Sequence, residues 1–163
     1  MFRTINVIFL VLVVSLIACK NAAPPMTDTE RSAIEKQLIA QHNEITGAAS
    51  RLDAEAVFSH FIDNERGILA FEGSLIMTRE DGVNLVSEIY KDFQKITTEM
   101  NEEYVTVITP ETAVYKGVGR STYFPKSGDS SSITFAITIV FVLRDGEWKV
   151  LHMHESAPNE TDQ

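Results

Sequence analysis

A chain of 163 residues with 44% hydrophobic side chains has room for one domain with a substantial core and calls for no second one. Its 23 acidic residues outnumber 14 basic ones, a formal charge of -9 with the histidines neutral. Such a balance excludes nucleic acid as a natural partner, because phosphate contacts need basic patches.

The chain opens with a targeting segment. Arg3 precedes an apolar run from Val7 to Ala18, about the length of a signal-peptide core and shorter than the roughly 20 apolar residues of a membrane span. The run closes on Leu16-Ile17-Ala18-Cys19, which resembles the lipobox of bacterial lipoproteins. That resemblance implies a diacylglyceryl group on the Cys19 thiol and cleavage just before it. Cys19 is the only cysteine, so no intramolecular disulfide can form, and lipid attachment accounts for the thiol. Residues 1–18 are read as the signal peptide and 19–27 as the lipidated cysteine and a spacer stiffened by Pro24 and Pro25. Lys20 stands where aspartate would mark inner-membrane retention in some Gram-negative bacteria. The expected location is the cell envelope, at the periplasmic face of the outer membrane if the source is Gram-negative. Loss of Arg3 with the leader leaves 13 basic against 23 acidic residues, so the domain gains nothing from attraction to anionic lipid and membrane attachment is expected to rest on the acyl chains on Cys19 alone.

The domain is expected over 28–158, with 159–163 a disordered tail. Thr27-Asp28-Thr29-Glu30 has the form of a capping box, and a long helix follows with Ile34, Leu38, His42, Ile45 and Ala49 on one stripe. Asp53 caps a short second helix reaching Phe61. Ile68 to Phe71 reads as a short strand ending at Gly73, and Thr78 to Asp81 opens a third helix with Val83, Val86, Ile89, Tyr90 and Phe93 on its apolar side. Four extended segments follow, at 96–109, 112–124, 131–143 and 147–155, separated by Pro110-Glu111, Lys126 to Asp129, and Asp145-Gly146. The fold class is α+β: a curved antiparallel sheet wrapped over about three N-terminal helices.

Arg144 to Pro158 contains Asp-Gly-Glu-Trp followed by His152-Met-His154-Glu-Ser. This closing hairpin resembles that of SnoaL-like domains in the nuclear transport factor 2-like superfamily, and is similar to the association domain of calcium/calmodulin-dependent protein kinase II. Ala70-Phe71-Glu72 matches at the end of the first strand. The resemblance implies a cone-shaped domain with a pocket open at one end and a homodimer formed through the sheet, for which Ile133, Ile137, Ile139 and Val140 are the expected apolar surface.

Strand alternation puts Trp148, Val150, His152 and His154 on one face. In related domains the closing strand lines the pocket, so Trp148, His152 and His154 are pocket candidates, together with Tyr90 and Glu72. Tyr104 and Tyr123 are further aromatic candidates. Neutral imidazoles there could move a proton or orient a carboxylate, or be purely structural. His152, His154 and Glu72 would also form a three-ligand metal set, but nothing else supports a metal and none is expected. Glu72 aligns with the catalytic aspartate of the superfamily's steroid isomerases. The oxyanion donors of those enzymes are missing here, where Ile45 and the strand Ile133 to Ile139 stand instead. Arg120 matches an association-domain arginine that helps to bind carboxylates, and is either such a pocket residue or an outward-facing surface one, depending on strand register; a second such arginine is replaced by Glu155. Glu99, Glu102 and Glu103 read as a solvated edge.

Two functions remain open. One is a lipid-anchored module that binds a small apolar or carboxylate-bearing ligand or a protein partner, without cofactor. The other is an isomerase, dehydratase or cyclase-type enzyme using Glu72 and His154 as acid and base. The first is favoured because no complete set of base, acid and oxyanion donors can be assembled.

Overall fold

The computed structural model describes residues 25–158, leaving out Asn64 and Glu72. Cys19, the expected signal peptide at 1–18, Glu72 and the expected tail at 159–163 therefore lie outside the described residues. None of the helices described is long and apolar enough to cross a membrane.

Helix α1 spans Asp28–Ser50 and starts at the expected capping box: Thr27 accepts from the Glu30 amide, while the Glu30 carboxylate takes the Thr27 amide at 2.7 Å. Helix α2, Ala54–Phe58, is capped by Asp53, and α3, Arg79–Tyr90, by a second capping box between Thr78 and Asp81. The strands are β1 Leu69–Phe71, β2 Ser74–Ile76, β3 Phe93–Thr109, β4 Thr112–Pro125, β5 Ser131–Arg144 and β6 Glu147–Ser156. Strand β2 is the one element not read from the sequence. Three residues long and with two of its side chains exposed, it offers too little alternation to be recognised.

The six strands form one sheet in the order β2-β1-β6-β5-β4-β3, with only β1 and β6 parallel. Asp145 and Gly146 both take positive φ, 53° and 83°, the two-residue turn that the twist of a hairpin favours. The sheet curves over α1 without closing. The Arg31 guanidinium donates to the Val107 carbonyl at 3.0 Å, and the buried Gln41 amide donates to the Trp148 carbonyl at 2.8 Å. These bonds tie α1 to both halves of the sheet. Leu38, Phe58, Phe61, Tyr115, Ile139, Phe141 and Val150, each at most 1% exposed, form the centre of the core.

Ile137 and Ile139 are buried in the concave face, which corrects their expected place on an outer, dimer-forming surface. Their alternating partners Ala136 and Thr138 are exposed instead. The register puts Ile137 opposite Gly117 and Ile139 opposite the buried Tyr115, and directly opposed residues share a face.

Helix α3 meets α2 at Gly82, where a Cβ would lie 2.3 Å from Cε1 of the buried Phe58. The Gly82→Ala protein is expected to lose about 1–3 kcal/mol through overpacking, despite the better helix propensity of alanine. Urea denaturation measures this, and an unchanged midpoint would show that α3 stands off α2.

Candidate functional site

Between the concave face and the three helices lies a cavity of about 220 Å³. Its wall is mostly aliphatic and aromatic: Ile45 and Ala49 of α1, Val57 and Phe58 of α2, Val86 and Ile89 of α3, and Leu69, Phe71, Ile137 and Met153 of the sheet. Leu85 and Ile89 line it while 44% and 38% exposed, so it opens beside α3.

Two irregularities in the strands decide which side chains face inward. On β5, Phe141 pairs with Val150 but Val140 pairs with His152, so Leu151 is an extra residue on β6. Such a bulge exchanges the two faces of a strand beyond it. Trp148 and Val150 point inward before the bulge; after it Met153 and Glu155 do, and His152 and His154 turn outward. On β3, Met100 pairs with Gly119 but Glu102 with Val118, which makes Asn101 the extra residue. Glu103, Val105 and Val107 then share the inner face opposite Gly117, Tyr115 and Ala113.

The expected pocket residues are redistributed accordingly. Tyr90 and Tyr123 line the cavity. Trp148 is buried but instead borders a separate polar groove with Gln41, Glu44 and His60. His152 is a structural donor: its Nδ1–H reaches the Gly67 carbonyl at 2.7 Å and fixes the approach to β1. His154 is exposed on the outer side. Arg120 is also exposed, opposite Glu99 and Thr134, because its neighbours Gly119 and Ser121 occupy the buried face. Tyr104 is 60% exposed. The expectation of one imidazole pair lining the pocket with Arg120 is thus corrected, and the pairing of His154 with Glu72 loses its histidine. Among the described residues no group of three His, Cys, Asp or Glu side chains is placed to hold a metal.

A different polar set takes their place. His42, 1% exposed, lines the cavity from α1. Its Nδ1 lies 2.9 Å from the Tyr115 hydroxyl, which donates to Glu103 Oε1 at 2.8 Å. The tyrosine has one proton and gives it to the carboxylate, so its oxygen accepts from His42 Nδ1–H. Burial pushes His42 down to about 4, with Glu103 opposing only in part. At neutral pH the imidazole is uncharged, and its 3.7 Å approach to Glu103 is not an ion pair. Nε2 is then the acceptor nitrogen of the ring, and the imidazole forms part of the cavity wall. Burial and the bond to Glu103 both raise the ionisation of Tyr115, which stays a phenol.

The second polar set comprises Tyr90, Tyr123 and Glu155, with the hydroxyls of Thr98 and Ser121 bonded to each other at 3.0 Å. Burial, then the neighbouring Tyr123, Asp53 and Glu155, push the Tyr90 phenol up to about 12.

Sequence reasoning placed His42 on the buried stripe but gave it no role, and took Glu103 for a solvated residue. One signal was available: Glu103, Val105 and Val107 have the parity of a buried face.

Residues 39–160 match the SnoaL-like domain family. The chain belongs to that family. No curated protein matches the chain by sequence. Among solved structures it is similar to a provisionally named calcium/calmodulin-dependent protein kinase II association domain from Xanthomonas campestris, with 22% identity, a TM-score of 0.67, and 76% of this chain and 87% of that one covered. A provisionally named scytalone dehydratase from Novosphingobium aromaticivorans gives 12% identity and a TM-score of 0.73, over 82% of this chain and 89% of the other. A hexachlorocyclohexane dehydrochlorinase from Novosphingobium barchaimii gives 15% and 0.67, over 82% and 92%. At these identities the likeness shows the nuclear transport factor 2-like fold.

Because His42 binds its proton less readily folded than unfolded, it contributes stability that is complete above pH 6.5, its ordinary value, and is lost as pH falls towards 4. The full difference is about 3 kcal/mol. In urea titrations at pH 7 and 4.5, the His42→Gln protein should show a smaller acid-side loss than the unmodified protein. Identical losses in the two proteins would mean that His42 is not held neutral.

Proposed function

We propose that this SnoaL-like domain is a lipid-anchored, extracytoplasmic binding module that holds a small, largely apolar ligand in the cavity under α3. The observation that carries this is the cavity itself: a mostly apolar space that opens beside α3, with His42, Tyr90, Tyr123 and Glu155 among its lining. A volume of about 220 Å³ lies just below the usual ~300–1,000 Å³ of small-molecule sites, so the ligand is of one- or two-ring size. The carboxylate-bearing ligand implied by resemblance loses support, since Arg120 is outside the cavity and Glu155 is within it. The outer face carries Val118, Ala136 and Val140 among Thr122, Thr134 and Thr138, a surface of small side chains suited to packing against the sheet of a second copy.

Native mass spectrometry of the protein from its own host is expected to show a small-molecule adduct, and the mass of the complex gives the copy number. The Ala49→Phe protein, with a ring in the cavity, should lose the adduct while keeping its fold. If neither protein carries an adduct and apolar probes raise the melting temperature of neither, the cavity is not a ligand site.

The anchoring rests on the lipobox-like Leu16 to Cys19. A Cys19→Ser protein is expected in the soluble fraction, still folded by circular dichroism. Retention of that protein in membranes through a high-salt wash would contradict lipid attachment.

A second reading, an enzyme, is favoured by one observation, the neutral His42 whose Nδ1 is held by Tyr115 and Glu103. Its Nε2 could take a proton from a bound substrate, and the Glu103 carboxylate, relayed by Tyr115, would stabilise the imidazolium formed. Binding remains the preferred reading because the wall of the cavity is predominantly apolar.

A further inference from the structure

The cavity is unbalanced in sign. No lysine or arginine lines it, and Glu155 is its only side chain of carboxylate, ammonium or guanidinium type among the described residues. His42, at the α1 wall, offers an acceptor and no charge. The bulge at Leu151 is what brings Glu155 inside. Also in the wall are Tyr90 and Tyr123, aromatic rings whose faces carry negative potential.

We propose that the cavity selects a protonated amine carried on a one- or two-ring apolar body, with the ammonium at Glu155 and the rings of Tyr90 and Tyr123, and the body against Phe71, Ile137 and Met153. This rests on the reading of the cavity as a ligand site. Three physical effects favour it. A carboxylate at the edge of a low-dielectric space attracts a cation and repels an anion more strongly than it would in water. Tyrosine faces add cation–π attraction. The acidic surface, 23 acidic residues against 14 basic in the whole chain, raises the local concentration of cations at the entrance. The field of Glu155 and of the nearby Asp53 is felt within the wall, since both resist ionisation of Tyr90. Tyr123 and Glu155 each have an interaction of their own within the fold, and a carboxylate, with about four acceptor directions, can take an ammonium beside other partners.

The test uses three probes with one apolar body: 1-naphthylmethylamine, 1-naphthylmethanol and 1-naphthoate, titrated calorimetrically into the full-length protein at neutral pH. The amine is expected to bind at least about tenfold more tightly than the alcohol, and the naphthoate most weakly. In Glu155→Gln the amine should fall to the level of the alcohol, while the alcohol is unchanged. His154→Gln, on the outer face, should behave as the unmodified protein. Equal binding of amine and alcohol, or an amine preference that survives Glu155→Gln, would overturn the proposal and leave the ligand-site reading standing. Failure of all three probes to bind the unmodified protein would overturn both.

Discussion

The extra residue Leu151 in β6 governs the chemistry of the concave face, because it exchanges Met153 and Glu155 for His152 and His154 on the cavity side. Backbone pairing fixes the bulge where it is. Before it, Val150 gives its amide to the His60 carbonyl at 2.8 Å and accepts from the Ile62 amide at 3.0 Å; after it, the Met153 amide goes to Ile68 at 2.9 Å. The neighbour along this side of β6 thus changes from the segment after α2 to β1, and the spare residue falls at the change. Removing it would drive the apolar Met153 outward and two imidazoles into a largely apolar space, which the burial of polar groups opposes.

A second bulge, at Asn101, plays the same part on β3. It turns Glu103 inward beneath Tyr115, and so supplies the carboxylate that fixes the tyrosine proton and, through it, the His42 tautomer. A buried imidazole without such an acceptor would leave its N–H unpaired, at a cost of about 1–3 kcal/mol. The inward placing of Glu155 and of Glu103 therefore depends on two unpaired residues in opposite halves of the sheet. The helices position what the sheet presents: α1 brings His42, and α3 brings Tyr90 and leaves the entrance.

Much of the fold was legible in the sequence because it depends on local signals. Thr27 with Glu30 and Thr78 with Asp81 marked two helix starts, Asp145-Gly146 marked the last hairpin, and the Trp148 to Ser156 pattern led to the family. The site was far less legible. Alternation assigns faces only while the strand is regular, and nothing in Leu151 or Asn101 announces a bulge: a leucine between Val150 and His152 fits an unbroken strand as well as a broken one. Everything beyond the bulge on β6 was accordingly assigned to the wrong side, and the face of Arg120 stayed open by a one-residue register, which Gly119 and Ser121 settle by putting it out. His42 was readable as buried but not as partnered, since Tyr115 lies 73 residues away.

Membership of the SnoaL-like family describes the cone and its opening, while the lining differs from one such domain to another and determines what enters. In this chain the lining is set by strand register more than by residue type. A crystal structure of the protein under xenon pressure tests that claim most directly. The account predicts xenon between Phe71, Ile137 and Met153, with Glu155 on the same side of β6 and both His152 and His154 on the other. A regular β6 with the two histidine side chains in the cavity, or a space packed shut with no xenon, would contradict it.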